Sequence, residues 1–326
     1  MTVRAIIAGC GGYLPERRVS NDELAALYRL ETSDEWIRER TGIRYRHFAA
    51  AGETASAMGA AAARAALAHA RAEAAEVDAV LVATSTPDSA FPATAVRIQA
   101  ALGITRGFAF DLAAACTGFI YALSVADALI RTGQARAVLV IGTEVYSRIM
   151  DWTDRGTCVL FGDGAGAVFL RANEGSGRSE DRGILSCHLH SDGRFADILN
   201  VEGGAGSTGG AGLLRMAGRE VFRHAVTKLA AVVDEALAAH GLGHEAVRWL
   251  VPHQANLRII EAMGKKLHLS PERVVVTVDR HANTSAASVP LALAEAVQDE
   301  RIRAGDLVVM EAIGGGLTWG AALARF

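Results

Sequence analysis

Three residues sit where side-chain chemistry and chain pattern coincide. Cys116 closes the run Phe110-Asp111-Leu112-Ala113-Ala114-Ala115-Cys116-Thr117-Gly118, which passes from strand-like sequence through small residues into a helix. The positive end of a helix favours a thiolate, so a cysteine there can attack a thioester. The plainer account is a small buried apolar residue, as most isolated cysteines are. His253 follows the strand-like run Val247 to Val251 in Pro252-His253-Gln254-Ala255-Asn256, at the carboxyl end where open α/β sheets place their sites. One histidine among ten can equally be structural. Asn283 lies in His281-Ala282-Asn283-Thr284-Ser285-Ala286-Ala287-Ser288, where the alternative is a cap on the next helix. A thiol, an imidazole and an amide together suit acyl transfer through a covalent thioester.

Glycine-rich pieces test a nucleotide reading and fail it. Phe161-Gly162-Asp163-Gly164-Ala165-Gly166 runs on into strand-like Ala167 to Leu170, where a phosphate-binding loop needs a helix. Gly9-Cys10-Gly11-Gly12 is followed by Pro15, and no P-loop pattern is present. Gly314-Gly315-Gly316 follows the strand-like Leu307 to Met310; it is a tight turn, or a place where backbone N–H groups approach an oxyanion.

The elements that must hold these residues read as an α/β chain. Strand-like runs occur at Val77 to Ala83, Ala137 to Ile141, Val247 to Val251, Val274 to Val278 and Leu307 to Met310. Helical spacing covers Phe119 to Ile130, stopped by Gly133, and Val221 to Leu237, stopped by Gly241. The alternation predicts largely parallel sheets covered by helices. Val77 and Val247 are 170 positions apart, as are Val138 and Val308, which predicts two similar halves. Cys116 and Asn283 differ by 167, so they are expected at equivalent strand-to-helix corners facing one central site. The Gly- and Ser-bearing stretch from Asn173 to Gly183 is the expected junction, dividing the chain into 1–172 and 173–326, and Gly203 to Gly212 reads as a second surface connection.

A hydrophobic share of 51% with 21% charged residues describes a compact chain with a large core. The net charge of −3 argues against nucleic acid or an anionic membrane as principal partner. The run Ala5 to Ala8 is too short for a signal-peptide core, and Cys10, Cys116, Cys158 and Cys187 lack paired or metal-type spacing. A cytoplasmic protein with no metal is expected.

Taken together, Ala114-Ala115-Cys116-Thr117-Gly118-Phe119, Phe161-Gly162-Asp163-Gly164-Ala165-Gly166-Ala167, Val251-Pro252-His253-Gln254-Ala255-Asn256 and Asn283-Thr284-Ser285-Ala286-Ala287-Ser288 resemble the β-ketoacyl-[acyl-carrier-protein] synthase III family. Thr32-Ser33-Asp34-Glu35-Trp36-Ile37, Arg40-Thr41-Gly42-Ile43 and Gly314-Gly315-Gly316-Leu317-Thr318-Trp319-Gly320 extend the likeness over the whole chain. The resemblance implies a thiolase-like fold, two βαβαβαββ halves in a five-layer αβαβα sandwich, assembled as a homodimer. It implies acetyl transfer from acetyl-CoA to Cys116, then decarboxylating condensation with malonyl-[acyl-carrier protein]. The products are acetoacetyl-carrier protein, CoA and CO₂, and the reaction initiates type II fatty acid synthesis.

In that scheme His253 and Asn283 stabilise the enolate, with His253 as general base for Cys116 the secondary possibility. The backbone N–H groups of Cys116 and Gly315 hold the thioester oxygen. The resemblance further implies Trp36 and Arg155 at the CoA adenine, Asn256 on the pantetheine arm, and Phe91 reaching across the dimer to the neighbour's acyl pocket. Gln254, Arg258, Lys265, Lys266 and Arg223 form the implied carrier-protein face, with Arg258 and Lys265 seven apart on one side of a helix. The CoA thioester is a substrate, and no cofactor is expected. One departure stands out: Ala282 occupies the position before Asn283 where the family commonly has Gly. Chalcone-synthase-like enzymes, a starter-specific enzyme of secondary metabolism, a papain-like protease and a non-catalytic carrier-binding subunit are the rival readings. The Cys-His-Asn set together with Val251-Pro252-His253-Gln254-Ala255-Asn256-Leu257-Arg258 speaks for the bacterial synthase.

Overall fold

In the computed structural model, which describes residues 2–326, the first half runs β1 (Thr2–Tyr13), β2 (Arg18–Ser20), α1 (Asn21–Tyr28), α2 (Asp34–Thr41), β3 (Tyr45–His47), α3 (Ala55–Ala70), β4 (Ala79–Ala83), α4 (Thr94–Ala101), β5 (Phe108–Leu112), α5 (Gly118–Arg131), β6 (Ala137–Val145), α6 (Arg155–Cys158) and β7 (Asp163–Gly175). The second runs β8 (Gly183–Ser191), the hairpin β9 (Leu199–Gly204) and β10 (Gly210–Met216), α7 (Gly218–Ala238), β11 (Trp249–Pro252), α8 (Leu257–Lys266), α9 (Val278–His281), α10 (Ser288–Gln298), β12 (Leu307–Gly314) and β13 (Thr318–Arg325).

The main sheets have orders β1-β7-β6-β4-β5 and β11-β12-β13-β8. At an offset of 170 residues β4 matches β11, α5 matches α10 and β6 matches β12. The second sheet therefore repeats the first up to its last strand. Helices α5 and α10 lie between the sheets and touch strands of both. Their apolar side chains join Leu81, Val140, Val251 and Met310 in a central core. Outside the first sheet pack α3 and α4, and outside the second α7 and α8, giving the layers αβαβα. Among the described residues no helix is long and apolar enough to cross a membrane.

Four sequence expectations change. Each sheet is mixed: β4 pairs in parallel with β5 and β6, and β11 with β12, but β7 and β13 run antiparallel to their neighbours. The β12–β13 connection is three residues long, too short for a parallel crossover. Val274 to Val278 is not a strand. It keeps one bridge, Val274 with Leu250, and then turns into α9. Gln254 takes the place of a ladder there, donating to Pro252 O and Val275 O and accepting from Thr277 N and Val278 N. The crossing between sheets lies at 176–182, within the expected junction 173–183, and only the cut after residue 172 shifts, because that residue falls inside β7. Finally, the counterpart of Cys116 at the 170-residue offset is Ala286, three positions beyond Asn283.

Candidate active site

Cys116 occupies a single turn, residues 115–117, between β5 and α5. Ala115 enters that turn at φ 45°, aiming the next side chain off the sheet edge. Gly314 closes the site from above: a Cβ there would sit 2.6 Å from Cys116 N, so only glycine lets the β12 end approach the Cys116 amide. Thr318 Oγ1 donates to Ala114 O at 3.0 Å and ties the glycine turn to the same corner.

Cys116 is buried, which works against the thiolate that the helix end favours. Burial pushes the thiol up to about 12, outweighing the Ser285 hydroxyl and the backbone N–H of Cys116, which pull it down, while Glu144 pushes it further up. The resting site thus holds a thiol, and deprotonation has to accompany acyl transfer.

His253 leaves the end of β11, its own N–H donating to Glu311 O at 2.7 Å. Its Nδ1 lies 2.6 Å from Ser288 Oγ on the first turn of α10. With the Ser288 hydroxyl as donor, the ring proton is assigned to Nε2. Burial lowers the imidazole to about 3, so it is neutral at working pH and serves as a hydrogen-bond donor. Asn283 Oδ1 accepts from Ser285 N at 2.8 Å, which leaves the amide NH₂ to face the cavity. The helix-cap alternative is thereby partly realised, since Asn283 caps the turn that precedes α10. The residue before it, Ala282, sits at φ 59°, ψ −162°, a region that glycine occupies far more easily.

A cavity of about 450 Å³ is lined by Cys116, His253, Asn283 and Asn256, with Arg40, Arg219 and Arg258 also in its wall. A second, of about 190 Å³, is lined by Cys116, Gly315, Tyr146, Phe161, Val201 and Leu214. Cys116 lines both, so it stands between the larger cavity and a smaller, mainly apolar pocket.

Ser33 caps α2 by accepting from Trp36 N, and Trp36 carries the guanidiniums of Arg40 and Arg155 at 4.4 and 4.8 Å from its ring centre. Gly42, the left-handed cap of α2, packs against Leu257 of α8, where a Cβ would lie 2.5 Å from the leucine Cβ. This contact sets Trp36 and Arg40 beside Arg258, whose Nη2 donates to Glu39 O. Asn256 caps α8, its Oδ1 accepting from Ile259 N. Arg223, Lys265 and Lys266 are exposed and, among the described residues, have no carboxylate partner. Gln254 does not join them. It is 1% exposed and its amide is consumed by the backbone clamp described above, so its expected docking role is withdrawn. Phe91 lies far out on the loop before α4, 85% exposed.

Sequence reasoning passed over Ser288, Ser285, Tyr146, Glu144 and Glu311. Ser285 and Ser288 lay inside the quoted motif, but nothing in it tells which serine meets which partner. Glu144 and Glu311 lie just beyond the strand-like runs Ala137 to Ile141 and Leu307 to Met310, and the structure extends both strands over them. Glu311 is fully buried with neither oxygen partnered, and burial raises it to about 8.

A model of 3-oxoacyl-[acyl-carrier-protein] synthase III matches residues 110–193, and a model of its C-terminal part matches 237–326. The chain is 68% identical over 323 residues to a β-ketoacyl-[acyl-carrier-protein] synthase III of Acidiphilium cryptum, covering 99% of both chains. The chain belongs to the β-ketoacyl-[acyl-carrier-protein] synthase III family. It is accordingly a condensing enzyme of the acyltransferase type with the thiolase-like fold. Among solved structures, the 3-oxoacyl-[acyl-carrier-protein] synthase III of Aquifex aeolicus is 44% identical with a TM-score of 0.91, covering 99% of this chain and 100% of that one. The priming β-ketosynthase of the R1128 polyketide pathway is 37% identical with a TM-score of 0.92, covering 100% and 97%.

Proposed function

We propose that this synthase condenses acetyl-CoA with malonyl-[acyl-carrier protein], giving acetoacetyl-[acyl-carrier protein], CoA and CO₂, and so opens type II fatty acid synthesis. The observation that carries the reading is the meeting of Cys116, His253 and Asn283 on one cavity whose far branch is a small apolar pocket. A pocket of about 190 Å³ has room for an acetyl group.

Cys116 attacks the acetyl carbonyl while the amides of Cys116 and Gly315 hold the developing oxyanion. Free CoA leaves, and the malonyl arm enters the same channel. Neutral His253, through Nε2–H, and the Asn283 NH₂ donate to the thioester oxygen as CO₂ departs, and the enolate carbon attacks acetyl-Cys116. No metal or other cofactor takes part; the CoA thioester is a substrate. Trp36 and Arg155 bind the adenine end and Asn256 the pantetheine arm. Arg258, Lys265, Lys266 and Arg223 receive the acidic carrier protein. The enzyme works in the cytoplasm as a homodimer. In favour of the dimer, β5 is the free edge of its sheet and presents stacked Phe108 and Phe110, 38% and 36% exposed, on the same half as protruding Phe91.

A second reading keeps the chemistry and changes the pathway: the likeness to a priming β-ketosynthase admits a non-acetyl starter. Incubation with radiolabelled acetyl-CoA, then malonyl-carrier protein, separates the two. Label on the wild-type protein that moves into a four-carbon carrier product, and never appears on Cys116→Ala, supports fatty acid initiation. Loading from longer or branched acyl-CoA alone would move the enzyme to the second reading, and no loading from any acyl-CoA would end both.

A further inference from the structure

The wall of the smaller cavity is hydrogen-bonded to the turn that carries Asn283. Tyr146 opens the single turn after β6 and is 3% exposed. Its ring stacks on Phe161 with 5.0 Å between centres, and both residues line the pocket of about 190 Å³ beside Cys116. The phenol oxygen of Tyr146 accepts from Ser285 Oγ at 2.9 Å, and Ser285 is 0% exposed. A buried phenol needs such a partner, and the bond pins the ring. The aliphatic lining from Leu199, Val201 and Leu214 has only packing to hold it.

Both aromatic residues are also tied to Asn283, which lines the larger cavity. Asn283 N donates to Leu160 O at 2.9 Å and Gly162 N donates to Asn283 O at 3.0 Å, so the backbone on either side of Phe161 clamps that of Asn283. Ser285, whose hydroxyl is engaged by Tyr146, donates its own N–H to Asn283 Oδ1 at 2.8 Å and so orients the amide. These bonds hold costly backbone in place. Ala282 and Ser285, which bracket Asn283 and Thr284, take φ 59° and 51°, a region that residues with a Cβ rarely adopt.

We propose that Tyr146 limits the length of the starter acyl chain and, through Ser285, positions the Asn283 amide, so that the fit of the starter is felt where the enolate is stabilised. The proposal rests on the condensing function above and deepens it by assigning a short starter. A chain that ends before the pinned ring leaves Tyr146, Ser285 and Asn283 in register. One that presses on the ring has to break a buried hydrogen bond or stay out, because the phenol cannot turn aside while it keeps Ser285 as its donor. Tyr146 is thus a specificity-determining and positioning residue; it forms no bond to the reacting atoms.

The test is single-turnover loading from acetyl-, butyryl- and hexanoyl-CoA, followed by condensation of the acylated enzyme with malonyl-carrier protein. It compares wild type, Tyr146→Phe, Tyr146→Ala, Ser285→Ala and the Tyr146→Phe/Ser285→Ala pair. Tyr146→Ala should raise loading from hexanoyl-CoA relative to acetyl-CoA by at least about tenfold, since it makes room for added methylenes. Tyr146→Phe keeps the ring but leaves the Ser285 hydroxyl without its acceptor. It should retain the wild-type starter preference while kcat for condensation falls about tenfold at an unaltered KM for malonyl-carrier protein. Ser285→Ala should show the same fall, and the pair no more than either, because all three break one link. The wild-type preference in Tyr146→Ala overturns the length limit. Wild-type condensation by Tyr146→Phe, or losses that multiply in the pair, overturn the link to Asn283. Should Tyr146→Ala fail to fold, Tyr146→Leu replaces it in the loading assay. A wild type that loads no acyl-CoA sinks the condensing function itself, whereas an active wild type matched by every variant sinks this assignment alone.

Discussion

At the corner after β5, Ala115 takes φ 45° and Cys116 follows; 170 positions on, Ser285 takes φ 51° and Ala286 follows. The same turn is thus built twice, each time leading into a helix of the central layer. What surrounds the two turns differs. Under the first, Ala83 packs against Gly118 so closely that a Cβ on the glycine would lie 2.9 Å from the alanine Cβ. At the matching positions of the second half stand His253 and Ser288, 2.6 Å apart in a hydrogen bond. The first half gives its corner to Cys116 and fills the space beneath with small residues. The second leaves its corner to alanine and uses that space for a donor and its orienting hydroxyl. Duplication supplies two equivalent backbones, and side-chain volume decides which chemistry each carries.

The sharpest way to break this comparison is to move the nucleophile. Ala286→Cys in a Cys116→Ala background should fail to restore acetyl loading, leaving the rate at least about 10³-fold below wild type, because the second corner lacks Gly314 and Gly315 over it. Recovery of loading would show that the turn alone suffices. Next in size, His253→Ala and Asn283→Ala should each lower condensation by about 10²- to 10³-fold, measured with pre-acetylated enzyme and malonyl-carrier protein. Because His253 is held near 3, the donor form is present at every pH above that value. Condensation should therefore show no histidine inflection between about pH 5 and 8, and one near pH 6.5 would contradict the neutral-donor assignment.

A smaller effect separates the channel from the surface around it. Arg258 lines the channel wall, so docking is tested more cleanly at Lys265 and Lys266. The double change to Glu should raise the KM for malonyl-carrier protein about tenfold, less so at high salt, and leave acetyl loading unchanged. Equal loss of both activities would argue against a docking face. Smallest is Ala282→Gly. Relief of the φ 59°, ψ −162° backbone, set against the added freedom of glycine in the unfolded chain, should stabilise the fold by about 1 kcal/mol in thermal melts. A loss of stability would mean that Ala282 is not strained.

Much of the framework was legible in the chain itself. The helices ending at Gly133 and Gly241 and the 170-residue recurrence of strand starts are local signals of periodicity and turn chemistry, and so is the placing of Cys116 before a helix and His253 after a strand. The signal at Val274 to Val278 misled because a β-branched run pairs only if a neighbour offers its backbone; here Gln254 took those hydrogen bonds first. The motif around Gln254 likewise suggested a surface role that burial removes.

The sequence by itself carried most of the elements and the twofold plan, which follow from residue type and short-range spacing, and it placed Cys116 before a helix and His253 after a strand. Tertiary structure alone decided the protonation of the site. Whether Cys116 rests as thiol, His253 as neutral donor and Glu144 near neutrality depends on how much water each has lost and which hydroxyl faces it. Those neighbours come from other elements of the chain, Ser288 lying 35 positions from His253 and Thr86 58 from Glu144, and no local pattern records their approach.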